Sequence, residues 1–252
     1  MNSKERSKWK NLSSEKLNIE FIAANKNKLD FKLVCKNSTI TIYDINKYDL
    51  YNYLDWTNLV LYQTIDPVFI WNNCNKVDWL KVSASPQLTV YMMDQYSDYL
   101  DWSIVVGKHK FNEDILMQFK DNVDWEQACI SQCLSTTFLE DNFIMLKPYL
   151  YEISKYQKLS EDFMRNHKDI LDWNIISECQ KLSEKFILEM SDYVNWTWIS
   201  EKQKLSKNFI LANKDKLNIS RLIERKISLP IEIKNSDFFS LYKLRRKALE
   251  VG

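Results

Sequence analysis

Cys129 and Cys133 stand four residues apart, the spacing that sets two thiols on one face of a helix where they could share a metal ion. His109 and His167 are the only histidines that could serve as a general base, and neither looks like one: His109 stands where other copies of the chain's repeat have Gln, and His167 fills a variable position that Asn and Met also hold. Aspartates recur before tryptophans, at Asp55, Asp78, Asp101, Asp124 and Asp172, and paired carboxylates can serve acid–base chemistry. No histidine lies at ligand spacing from the cysteine pair. With 2 His and 2 Gly, the chain lacks a phosphate-cradling loop, a nucleophile elbow and a histidine-centred constellation. The expectation is a chain without enzymatic activity, metal or cofactor.

The elements that carry these residues explain most of them. Aligned on the Trp of "LDW", one slot recurs at Phe31, Trp56, Trp79, Trp102, Trp125, Leu150, Trp173, Trp196 and Ile219, in steps of 23 or 25 residues. A partial copy begins at Trp9, where "WKNLSSEKLN" echoes "WTWISEKQKLS" with one residue fewer. The residue before the slot is Asp or Asn in every copy but one, where it is Tyr149. A short side-chain oxygen there accepts the orphan amides of a first helical turn. The residue before it is Leu or Val except at Pro148, and the residue three after the slot is apolar from Val34 to Leu222, which makes a hydrophobic staple. A second start lies ten residues after the slot, at Thr41, Asp66, Thr89, Asn112, Ser135, Ser160, Ser183 and Ser206, each with its own staple pair. Each unit is therefore two short helices, neither able to persist alone in water.

In this register the repeated Asp residues are caps, not catalytic carboxylates. Cys129 falls four after the slot, with Cys35, Val60, Ser83, Val106, Ser154, Ser177 and Ser200, a small and buried position. Cys133 falls eight after it, an exposed position that Lys110, Lys158, Lys181 and Lys204 also hold. His109 takes the place, seven after the slot, of Gln63, Gln132, Gln157, Gln180 and Gln203. That row reads as a ladder of amides tying one helix end to the next turn.

The expected fold is all-α: a solenoid of about nine 23-residue two-helix repeats over residues 18–228, with a cap or partial repeat at 1–17 and a basic cap or tail at 229–252. The core is expected to be built from the slot Trp, the staples and the Phe of "LSEKF". Tyr149-Leu150 and Phe31 depart from the motif, so their copies are expected to be distorted. Only 2 Gly and 4 Pro exclude a turn-rich β protein and long flexible linkers. The five cysteines are odd in number and irregularly spaced, which fits free thiols in a reducing compartment. No apolar run reaches transmembrane length and "MNSKERSKWK" is not a signal peptide, so the expectation is a soluble, intracellular protein with no membrane partner.

From about Trp9 to Ile227 the pattern resembles the tryptophan-repeat proteins of entomopoxviruses, and similar "LSEDFI…LDW…IS..QK" arrays in other large DNA viruses and phages. The resemblance is strongest over residues 157–211. It implies a viral origin, a helical array, and residence in host cytoplasm or virion. The working expectation is a scaffold that binds a host factor or a virion component, or a structural virion subunit.

Two surfaces are candidates for such contacts. The first turn of the second helix is polar in late copies, at Glu161-Asp162, Glu184-Lys185 and Lys207-Asn208. Earlier copies carry Ile42-Tyr43, Pro67-Val68 and Val90-Tyr91 there, so Tyr43, Val68 and Tyr91, flanked by Ile42 and Val90, are expected to form an apolar partner-binding stripe. The alternative is weak, sequence-independent nucleic-acid binding. Lys158, Lys181 and Lys204 would join Lys243, Arg245, Arg246 and Lys247 of the tail. Charge favours the ends: residues 1–36 hold 9 basic and 4 acidic side chains and residues 200–252 hold 13 and 6, but residues 37–199 hold 13 and 24. The acidic middle opposes a polyanion. "LPIEI" at Leu229–Ile233 also looks like the opening of a viral F-box, which would make the chain a ubiquitin-ligase adaptor.

Overall fold

A computed structural model describes residues 2–235. Among them every regular element is helical, and the longest helix, Ser3–Ser13, has 11 residues. The fold is all-α with periodic helix–helix packing, a helical-repeat architecture. The described residues fall into two compact units that divide between Asp124 and Trp125.

In the first unit the leading helices are Ser3–Ser13, Phe31–Asn37, Trp56–Tyr62, Trp79–Ser83 and Trp102–Lys108, each packed on the next. The following helices are Ile19–Ala24, Ile42–Lys47, Pro67–Trp71, Val90–Tyr96 and Glu113–Gln118. In the second unit the leading helices are Trp125–Ser131, Leu150–Tyr156, Trp173–Cys179, Trp196–Lys202 and Ile219–Glu224, again packed in succession. Thr136–Asp141, Glu161–Asn166, Glu184–Glu189 and Lys207–Ala212 follow them, and Ile231–Lys234 closes the described chain.

Cap chemistry sets these starts. Asp55, Asp78, Asp101, Asp172, Asn195 and Asn218 each accept a first-turn amide, as Asp30 does. All eight residues from Thr41 to Ser206 cap the second helices in the same way. Thr41 and Asp44 form a full capping box.

The staple residues form the innermost core. Val34, Leu59, Val82 and Val105 in the first unit and Ile176, Ile199 and Leu222 in the second are completely buried, as are Ile70, Met164, Ile187 and Ile210 on the second helices. The slot tryptophans lie further out. Trp56, Trp125 and Trp173 are buried, but Trp79, Trp102 and Trp196 are only half-buried. Their indoles still have partners: Nε1 of Trp79, Trp102, Trp173 and Trp196 donates to the carbonyl five residues back, at 2.8–3.1 Å.

The two 25-residue steps absorb their extra residues differently. Between Phe31 and Trp56 the chain turns through Asp49 at φ 50°, a left-handed conformation that Asp tolerates. Lys26 holds this turn through the carbonyls of Tyr48 and Asp49. The Phe31 copy itself is regular, with Asp30 as its cap, because a buried phenyl ring can occupy the indole's slot. The Leu150 copy is distorted. Tyr149 has no cap to offer, and the extra residues form a short helix, Phe143–Leu146, and a 3-10 turn, Lys147–Tyr149, that run into the leading helix. Trp9 lies inside a helix that begins at Ser3, six residues earlier than its copies predict.

Candidate interaction surfaces

Two rows of repeated polar side chains join one repeat to the next. Gln180 shows the pattern. Its Nε2 donates to the carbonyls of Ser154 and Gln157 at 2.7 and 2.8 Å, and its Oε1 accepts from the Leu159 amide at 3.1 Å. Gln63, Gln157 and Gln203 repeat this triplet one copy away. Each carboxamide thus satisfies carbonyls left open at the end of the preceding leading helix. The ladder ties each unit to the one before it. His109 Nε2, in the same row, meets the Ser83 carbonyl at 2.8 Å, and Arg225, one position earlier in its copy, reaches the equivalent carbonyls of Ser200 and Gln203 through Nη1.

A second ladder uses the position four after the slot. Oγ of Ser13, Ser83, Ser177 and Ser200 accepts the cap residue's amide of the following copy, at 2.8–2.9 Å. Ser13 keeps this role, which shows that Trp9 holds the repeat register although its helix starts early. Where Val60 replaces the serine, Thr57 takes over the bond to the Asp78 amide. Cys35 sits in the same row. Burial pushes its thiol up to about 12, against a hydrogen bond from the Asp55 backbone. Burial raises Cys129 to about 12 as well, with a smaller push from Glu152. Cys129 is buried and Cys133 exposed, so the pair does not present two thiols to one site. Among the described residues no three His, Cys, Asp or Glu side chains gather as a metal would need.

His167 lies against Phe143, ring centroids 3.9 Å apart, and its Nε2 meets Glu140 at 2.8 Å. This half-buried contact joins two consecutive copies. Arg165 likewise bridges to Glu189 of the next copy, and its hydrogen bond holds that carboxyl below the usual range.

The stripe residues lie in the first unit and point outward: Tyr43 is 68% exposed, Val68 53% and Tyr91 62%. Val90 is exposed and Ile42 half-buried. The contrast with later copies has a structural component that sequence comparison missed. Glu161 accepts the Ser183 amide and Glu184 that of Ser206, so the residues in register with Ile42 and Val90 are polar because they form rungs. Asp162, Lys185 and Asn208, in register with Tyr43, Val68 and Tyr91, are exposed, so at those three positions an apolar residue replaces a solvated polar one. Trp71 adds to the stripe; it is exposed, with Nε1 donating to the Gln95 carbonyl. A groove of about 340 Å³ opens beside Tyr91, lined also by Val60, Tyr62, Gln63, Ile65 and Tyr96.

Lys158, Lys181 and Lys204 are all exposed in the second unit. Lys243, Arg245, Arg246 and Lys247 lie outside the described residues. In "LPIEI", Leu229 and Ile233 are buried and Ile231 is exposed, so most of this apolar segment covers the end of the unit. No family model, curated protein or solved structure matches the chain. Among the described residues no helix is long and apolar enough to cross a membrane.

Proposed function

We propose that this chain is a non-enzymatic α-solenoid scaffold of about nine 23-residue two-helix repeats that binds a protein partner through Tyr43, Val68 and Tyr91. One observation carries the reading: these large side chains are exposed at one position per repeat, in a fold that uses its repeated polar residues as caps and rungs. Aromatic side chains offer large contact area at low entropic cost. The resemblance to viral tryptophan-repeat arrays makes a host factor or a virion component the partner class, met in host cytoplasm or in the particle. The acidic middle of the chain would steer a basic partner toward the stripe.

The test is a triple substitution, Tyr43→Ser, Val68→Ser and Tyr91→Ser, in the full chain. All three residues are exposed, so the variant should melt within a few degrees of the parent, as surface changes do. It should fail to recover the partners that the parent recovers from infected cells. Unchanged recovery by a folded variant refutes the stripe. Unfolding shows that the three residues serve the core.

A further inference from the structure

In the first unit the row seven after the slot reads Ser38, Gln63, Pro86 and His109; Ser38, Gln63 and His109 bond the preceding copy, and Pro86 has no side-chain donor with which to do so. Seven residues after Trp79, where the row would have Gln, stands Pro86. The leading helix Trp79–Ser83 is also two residues shorter than its regular neighbours and is capped by Ala84. The groups that a glutamine would bind are still in place on the preceding copy. By register with the other rungs they are the carbonyls of Val60 and Gln63 and the amide of Ile65. Among the described residues no side chain donates to those carbonyls and the Ile65 N–H has no acceptor. Val60, Gln63 and Ile65, which carry these groups, all line the groove of about 340 Å³ that Tyr91 also lines. Gln87, one residue after Pro86, lines it too; its backbone amide donates to Ser85 Oγ, and among the described residues its side chain makes no hydrogen bond.

We propose that this groove is a socket for a glutamine side chain of a partner polypeptide. The incoming Nε2 donates to the Val60 and Gln63 carbonyls, and the incoming Oε1 accepts from the Ile65 amide. Residues flanking that glutamine pack on Tyr62 and Tyr91. The chemistry is the chain's own, since Gln63, Gln157, Gln180 and Gln203 make this triplet within the fold. It is also selective. A glutamate would turn an anionic oxygen toward two carbonyls, and a lysine has no acceptor for the amide. This inference rests on the scaffold reading and adds the partner's chemistry at one point of the stripe.

The test uses the full chain, labelled with ¹⁵N, and a synthetic peptide copying residues 196–206, which carries Gln203 in its natural flanks. The peptide should shift the Ile65 amide resonance saturably. A peptide with glutamate for that glutamine should bind at least about tenfold more weakly, because the socket's polar groups are then mismatched. Pro86→Gln should fill the socket from within, raise the melting temperature and abolish the shift. Should Pro86→Gln not fold, Tyr91→Ser provides the second arm and should weaken the peptide while keeping its preference for glutamine. Equal binding of the two peptides, no shift at Ile65, or full binding to folded Pro86→Gln overturns the socket. A Tyr43→Ser/Val68→Ser variant separates the two proposals. It leaves the groove intact, so loss of partner capture with peptide binding retained supports both, and retained capture counts against the stripe alone.

Discussion

Replacing Gln180 with alanine should open the second unit at one rung. Gln180 is 7% exposed, and its side chain makes three hydrogen bonds to backbone groups of the preceding copy. Alanine leaves two carbonyls and one amide unpaired, each costing about 1–3 kcal/mol where water is excluded. Water entering the vacated volume recovers part of this, so the net loss should be about 3 kcal/mol. For a chain of this size that lowers the melting temperature by roughly 6–12 °C. Thermal and urea melts of Gln180→Ala measure it, with Lys181→Ala, an exposed neighbour, expected within about 0.5 kcal/mol of the parent. Gln180→Glu adds a sign test. A carboxyl facing two carbonyls titrates above its unfolded value of about 4.3, so the native state binds more protons and the penalty grows as pH rises above that value. Below it the neutral acid replaces the amide and most of the loss should vanish. A Gln180→Ala melt indistinguishable from Lys181→Ala refutes the ladder as a source of stability. A Gln180→Glu penalty that does not change with pH refutes the geometry.

Trp173→Ala should cost about 3–5 kcal/mol in a melt, as large core aromatics do, and Asp172→Ala about 1 kcal/mol through loss of its cap on the Asn174 and Ile175 amides. Thiol labelling of the native chain should reach Cys133 and Cys179, which are exposed, and leave Cys35 and Cys129 unreacted, because burial both shields them and holds them as thiols. Equal labelling of all five would refute that assignment. Binding to DNA or RNA, followed by fluorescence anisotropy, should be weak, indifferent to sequence and lost as salt rises. Tight binding at moderate salt would move the lysine row from solvated edge to functional surface.

The parts of the fold that local chemistry dictates were legible in the sequence. An N-cap needs only a short oxygen and the two or three amides beside it, so Asp55 or Ser183 announces a helix start without knowledge of the partner copy. Rungs are different, because they join residues 17 to 28 positions apart. The glutamine row could be seen as a ladder, but not that it reaches backward. The serine row looked merely small, since its hydroxyl and the cap amide it serves lie in different copies. Tyr149 was readable as a lost cap; the helix that replaces it at Phe143–Leu146 was not, because packing decides how extra residues are absorbed. Phe31 misled in the other direction, since its buried phenyl ring fills the slot without the indole and leaves the copy regular.

These two kinds of residue locate function by subtraction. A side chain that recurs in every copy and is bonded in every copy is explained by the array, and its type says nothing about a ligand. What can differ between such arrays is the residue that leaves the pattern without harming it. Asp49 and the Phe143–Leu146 helix leave the pattern to absorb length. Tyr43, Val68, Tyr91 and Pro86 leave it without forming a rung to a neighbouring copy. Pro86 even removes one, and it does so in the groove beside Tyr91. A break in the ladder costs stability, and it coincides with the place where the exposed aromatic row meets a cavity. Two departures that neighbour each other, one apolar and one exposing a hydrogen-bonding triplet, together have the composition of a recognition site: area for affinity and oriented polar groups for selectivity.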